Sequence, residues 1–149
     1  MKKIIILLLL LLTLIGCTKE DKKNNIEEYY FKYNETDIKV NTLFNTVSFY
    51  IGEYNDERIE EDHHIYEYNS FEIETYLDNN NEKIFSIVFT NNEVTTIEGL
   101  RIGDSLEKII NVYGKDYIKE NNQIIYTSQN TKITFILEND IIEEIRYHM

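Results

Sequence analysis

Two stretches of this chain spell the same chemistry 62 positions apart, and such a repeat ties the fold of one half to that of the other. Asp37-Ile38-Lys39-Val40-Asn41-Thr42-Leu43-Phe44 aligns without a gap on Gly99-Leu100-Arg101-Ile102-Gly103-Asp104-Ser105-Leu106. Ile38 meets Leu100, Val40 meets Ile102, Phe44 meets Leu106, and the cations Lys39 and Arg101 coincide. Asn41 and Gly103 both tolerate a left-handed backbone, and Thr42 and Asp104 are both good helix N-caps. Further on, Val47 meets Ile109 and Gly52 meets Gly114. After short deletions, Tyr66 meets Tyr126, Ile73 meets Ile133, Ile87 meets Ile145 and Phe89 meets Tyr147.

In the second copy Asp104 is expected to cap a helix, with Glu107 as its capping-box partner. Leu106, Ile109, Ile110 and Tyr113 form one apolar face, and Gly114 stops the helix. A helix of about ten residues needs a sheet to pack on. Strand-like runs follow at Gln123 to Ser128, Lys132 to Glu138 and Ile141 to Tyr147, with Glu138-Asn139-Asp140 as a tight turn. In the first copy Thr42 starts the helix and Gly52 ends it. Its strands are Ile65 to Tyr68, Phe71 to Leu77 and Lys83 to Thr90, and Val94 to Ile97 bridges the copies. Ile84 to Phe89 is apolar on both faces, as a strand covered on both sides would be. The expected fold is therefore α+β: two tandem helix-plus-antiparallel-meander units, about 37–90 and 97–149, sharing one sheet with the helices on one face. Ile26 to Tyr33 (IEEYYFKY) reads as a first strand or a short helix. Proline is absent, so asparagine-rich stretches such as Asp78-Asn79-Asn80-Asn81 are expected to make the turns.

The N-terminus carries an address. Lys2 and Lys3 precede an unbroken apolar run from Ile4 to Leu12, which is too short to span a bilayer comfortably. The segment closes on Leu14-Ile15-Gly16-Cys17, which resembles the lipobox of bacterial lipoproteins, and Cys17 is the chain's single cysteine. The resemblance implies a signal peptide over 1–16, cleavage before Cys17, and acyl groups on the Cys17 thiol that hold the protein at a membrane. Residues 17–25 then read as a polar tether, and 26–149 as the domain. The location this implies is extracytoplasmic, at the cell membrane or an outer membrane.

Charge narrows the partners. The chain's formal net charge is −12. Two of its 15 basic residues and none of its 27 acidic ones lie in the first sixteen positions, so the remainder carries 13 − 27 = −14. That excludes nucleic acid and an electrostatic grip on anionic lipid as the main mode of binding. A single cysteine allows neither an intrachain disulfide nor a multi-cysteine metal site. Twelve tyrosines suit both strand surfaces and contact faces. With no phosphate loop, dinucleotide fingerprint or paired-cysteine motif, no cofactor is expected.

Gly99-Leu100-Arg101-Ile102-Gly103-Asp104-Ser105-Leu106, a short helix closing on Tyr113-Gly114 and the antiparallel meander together resemble the β-lactamase-inhibitor-protein-like fold. That superfamily also includes small lipoproteins of the outer-membrane barrel-assembly machinery. The resemblance covers residues 37–148 as two units and implies a protein-binding module or envelope adaptor. It transfers no binding residue.

Gly103-Asp104-Ser105-Leu106 also matches the opening motif of a family of serine esterases and lipases, which would make Ser105 a nucleophile needing a histidine base. The Asp-x-x-His that such enzymes carry near their C-terminus is missing; His148 follows Glu144-Ile145-Arg146-Tyr147. Gly103 for a turn, Asp104 as a cap and Leu106 on a buried face account for the same letters. In Glu60-Glu61-Asp62-His63-His64, adjacent histidines on an extended strand would face opposite ways, a poor start for a metal site. Glu53, Tyr54, Asp56, Glu57, Glu60, Glu61 and Asp62 read as an acidic loop able to steer a basic partner. The expected function is a lipid-anchored envelope protein that binds a protein or peptide partner without catalysis. The alternatives are a structural subunit of an envelope assembly and a Ser105 hydrolase.

Overall fold

The computed structural model describes residues 26–149; the segment expected to be a signal peptide (1–16), Cys17 and the expected tether over 17–25 lie outside them. Eight antiparallel strands form one sheet: β3 (Asp56–Glu60), β4 (His63–Glu67), β5 (Phe71–Asp78), β6 (Asn81–Phe89), β10 (Ile141–His148), β9 (Lys132–Glu138), β8 (Gln123–Thr127) and β7 (Ile118–Glu120), in that spatial order. A separate hairpin pairs β1 (Phe31–Tyr33) with β2 (Thr36–Ile38). Among the described residues the two helices are α1 (Phe44–Ile51) and α2 (Leu106–Tyr113). Among the described residues no helix is long and apolar enough to cross a membrane.

The protein is mostly β, which corrects the α+β expectation of two helix-plus-meander units with helices on one face. Strand makes up 47% of the described residues, against two helices of eight residues each among them. Three local causes account for the difference. Asp56–Glu60, the middle of the stretch expected to be an acidic loop (Glu53 to Asp62), is strand β3, because Arg58 reaches Glu60, Glu67 and Glu72 and offsets the repulsion of carboxylates on neighbouring strands. The helices start later than expected: Leu43 and Ser105, not Thr42 and Asp104, are the N-caps. Asp104 instead accepts from the Arg101 backbone N–H and pairs with Lys108. Finally, β1 and β2 form a sheet of their own, so the helices share their side of the large sheet with a hairpin.

Residues alternate across the large sheet and divide its two faces. Tyr66, Ile73, Ile87, Tyr147, Ile133 and Tyr126 lie in register on one side and are buried. This is the core face. Phe44 of α1 stacks on Tyr66 at 4.3 Å, and Tyr113 of α2 meets Tyr126 at 5.0 Å and Phe135 at 5.6 Å. Phe31 of β1 is fully buried beside Phe71 and Phe89, both at 5.0 Å, and Tyr147 at 6.2 Å. The aromatic N-terminal segment is thus a strand that plugs the core.

Gly52 and Gly114 end the helices with φ of 95° and 86°, at the expected positions. Asn79-Asn80 and Asn139-Asp140 turn the central hairpins in the left-handed region, which Asn and Asp reach more cheaply than other side chains.

Candidate open-face binding cleft

Among the described residues, no helix or hairpin covers the second face of the large sheet. Following the register across it gives rows of side chains. One row runs Glu74, Ser86, His148, Lys132 and Thr127 across β5, β6, β10, β9 and β8. The next runs Glu72, Val88, Arg146, Thr134, Ile125 and Ile118, ending on β7. This face holds a cleft of about 370 Å³, within the usual range for ligand sites. Phe85 and Glu74 stand at one wall, Ile118 and Glu120 at the other, with Thr134, Ile125 and Ile136 between them.

The polar groups are held in place. Glu74 takes a hydrogen bond from buried Ser86 Oγ at 2.6 Å and contacts His63 Nδ1 at 2.5 Å. Phe85 sits at a bulge, where the register with β5 skips a residue, and its ring lies 4.8 Å from that of His63. It is not sealed on both sides as its apolar run suggested. His148 Nε2 meets Thr134 Oγ1 at 2.8 Å, and Arg146 pairs with Glu144 at 2.8 Å.

Burial, then the charges of Lys132 and Arg146, holds His148 below its ordinary value of 6.5. The unfolded chain binds that proton at higher pH than the folded one does. Stability from this group is therefore present above about pH 6.5 and is lost as pH falls toward the folded value. His148→Gln removes this contribution. The melting temperature of the native chain should fall more steeply than the variant's between about pH 7.5 and pH 5.5. Every other group is common to both proteins, so the difference between profiles reports His148. Parallel profiles would contradict the assignment.

The acidic residues singled out in the sequence do not line this cleft. Asp56 and Glu60 lie on the open face but on edge strand β3, as their partners Glu67 and His63 on β4 show. Glu57 pairs with Tyr66 and so points to the core side, where Tyr54 hydrogen-bonds it and packs on Tyr66 at 5.0 Å. Glu61 and Asp62 form the hairpin turn, and Glu53 is exposed after Gly52. His63 and His64 face opposite sides: His63 joins Glu74 on the open face, while His64 meets the Tyr66 hydroxyl on the core side. Among the described residues no group of three or more His, Cys, Asp or Glu is arranged to hold a metal ion.

Ser105 Oγ accepts the Lys108 backbone N–H as the cap of α2. Its backbone bridges Ile141 at the start of β10, whereas His148 ends that strand roughly 23 Å away at ordinary strand rise.

Sequence reasoning missed Glu74, Ser86, Thr134, Ile136, Arg146 and His148 as neighbours. The available signal was the residues between core positions: Ile125 and Ile136 are apolar although they face away from the core.

No family model and no curated protein matches this sequence. Among solved structures it is similar to an extracellular protein containing an SCP domain from Bacillus anthracis str. Ames, with 9% identity and a TM-score of 0.49. The match covers 73% of this chain and 43% of that one, so this chain spans less than half that protein's length. A likeness at that score says nothing of what this chain does.

Proposed function

We propose that this is a lipid-anchored cell-envelope protein, held by acyl groups on Cys17, whose domain binds a protein or peptide partner on the open face of its large sheet and performs no catalysis. The anchor rests on Leu14-Ile15-Gly16-Cys17 alone. One observation carries the binding role: a concave face, uncovered by any described element, presents Ile118, Ile125 and Ile136 beside fixed polar groups. Apolar surface rimmed by polar groups on an otherwise acidic protein marks a contact site. The acidic β3–β4 hairpin flanks that face and would steer a partner with a basic margin. The test is capture from membranes after mild crosslinking, comparing the native chain with Ile125→Asp. A stoichiometric partner should come with the native chain and be depleted about tenfold with the variant. Equal recovery from both would sink the reading.

A second reading, a structural subunit of an envelope assembly, is favoured by Phe49 and Tyr50 on α1, 85% and 62% exposed on the helix side of the domain. They would supply a second contact surface, and that role requires co-purification with a membrane complex under mild extraction.

A further inference from the structure

We infer that the cleft takes the C-terminal end of a peptide whose last residue is apolar, its terminal carboxylate on Lys132 and Arg146 and its side chain on Ile118, Ile125 and Ile136. The inference rests on the reading of the open face as a peptide site and names the chemistry that site takes.

Charge is the first argument. In a chain of net charge −12, Lys132 and Arg146 stand as diagonal neighbours on β9 and β10 inside the cleft. Like Lys115 and Lys119 outside the cleft, Lys132 takes part in no salt bridge among the described residues, whereas Lys32, Lys39, Lys83 and Lys108 each reach a carboxylate. Arg146 meets a single carboxylate oxygen, Glu144 Oε1, through both Nε and a terminal nitrogen. Its remaining N–H donors are free to receive a second carboxylate, for which the guanidinium fork is well shaped. The two lining carboxylates do not cancel these cations at close range. Glu74 lies on β5, two strands from Arg146 on β10, and Glu120 stands exposed on edge strand β7, two strands from Lys132 on β9.

Spacing is the second argument. Thr134 lies between Arg146 and Ile125 in one cross-strand row, and Lys132 and Ile136 flank Thr134 on the same face of β9. Arg146 and Ile136, and Lys132 and Ile125, are thereby diagonal neighbours about 7–8 Å apart, a span that the long cationic side chains reduce to that between a carboxylate and the tip of its own residue's side chain. A chain end supplies both groups at once. The cleft volume suits one or two residues, not a folded surface. Gln123 and Thr127 at the same wall supply hydrogen bonds for the preceding peptide unit.

The test uses the full chain in detergent and fluorescence polarisation with a labelled polyalanine peptide ending in leucine, as the free acid and as the C-terminal amide. The free acid should bind about tenfold more tightly than the amide. Lys132→Gln and Arg146→Gln, with unchanged melting temperatures, should each weaken the acid by about fivefold and leave the amide unaffected. Lys132→Arg should retain the preference. Equal binding of acid and amide, no binding of either, an acid preference that survives both variants, or binding of laurate in place of the peptide would each overturn the inference. Failure here with the captured partner still lost in Ile125→Asp would sink this chemistry alone; equal capture would sink the underlying reading too.

Discussion

Replacing Phe31 with alanine is expected to cost about 3–5 kcal/mol, a large part of the roughly 5–15 kcal/mol that holds an ordinary domain together. The ring is fully buried against Phe71, Phe89 and Tyr147, residues of β5, β6 and β10. Those strands form the middle of the large sheet, so the cavity would open where the two halves of the sheet meet. Relaxation offers little relief, because the hairpin bearing Phe31 is also pinned by Tyr29, whose backbone N–H donates to Thr131 Oγ1 at 3.0 Å. Urea unfolding measures the loss. A change below about 1 kcal/mol would mean that the hairpin does not close the core.

Two neighbouring residues should give opposite results. Ile124 is fully buried among core residues, whereas Ile125, the next along β8, lies on the open face and is only partly covered. Ile124→Asp puts a carboxylate without a partner into the core, a cost of several kcal/mol that should leave the chain unfolded or molten. Ile125→Asp places the same charge on the open face and should shift stability by about 1 kcal/mol or less while spoiling the apolar wall of the cleft. Circular dichroism of both variants decides the matter. A folded Ile124→Asp, or an unfolded Ile125→Asp, would reverse the assignment of faces on which the functional proposal depends.

The elements that were legible in the sequence are those where one residue type has one cheap conformation. Gly52 and Gly114 announced helix ends because a left-handed residue there is easiest for glycine, and the asparagine pairs announced turns for a related reason. The main strand runs followed from apolar density. Caps were less legible, since Asp104 and Ser105 are both good N-caps and only the hydrogen bond of Lys108 N–H to Ser105 separates them. The run DERIE was misread because its charge suggests solvent, while strand pairing and Arg58 determine its state. That misreading, with the separate β1–β2 hairpin, turned a mostly β protein into an expected α+β one. The open-face cleft was illegible for a different reason. It joins residues of β5 through β10, and no local pattern states which strands become neighbours.

The central claim is that the open sheet face, and not the side bearing the helices, meets the partner. The direct measurement is photo-crosslinking in membranes of two full-length proteins, one with a photoreactive residue at Gln123 in the cleft lining, the other at exposed Glu107 on α2. The account predicts a single adduct of defined mass from position 123 and none from position 107. An adduct from 107 with none from 123 would contradict it.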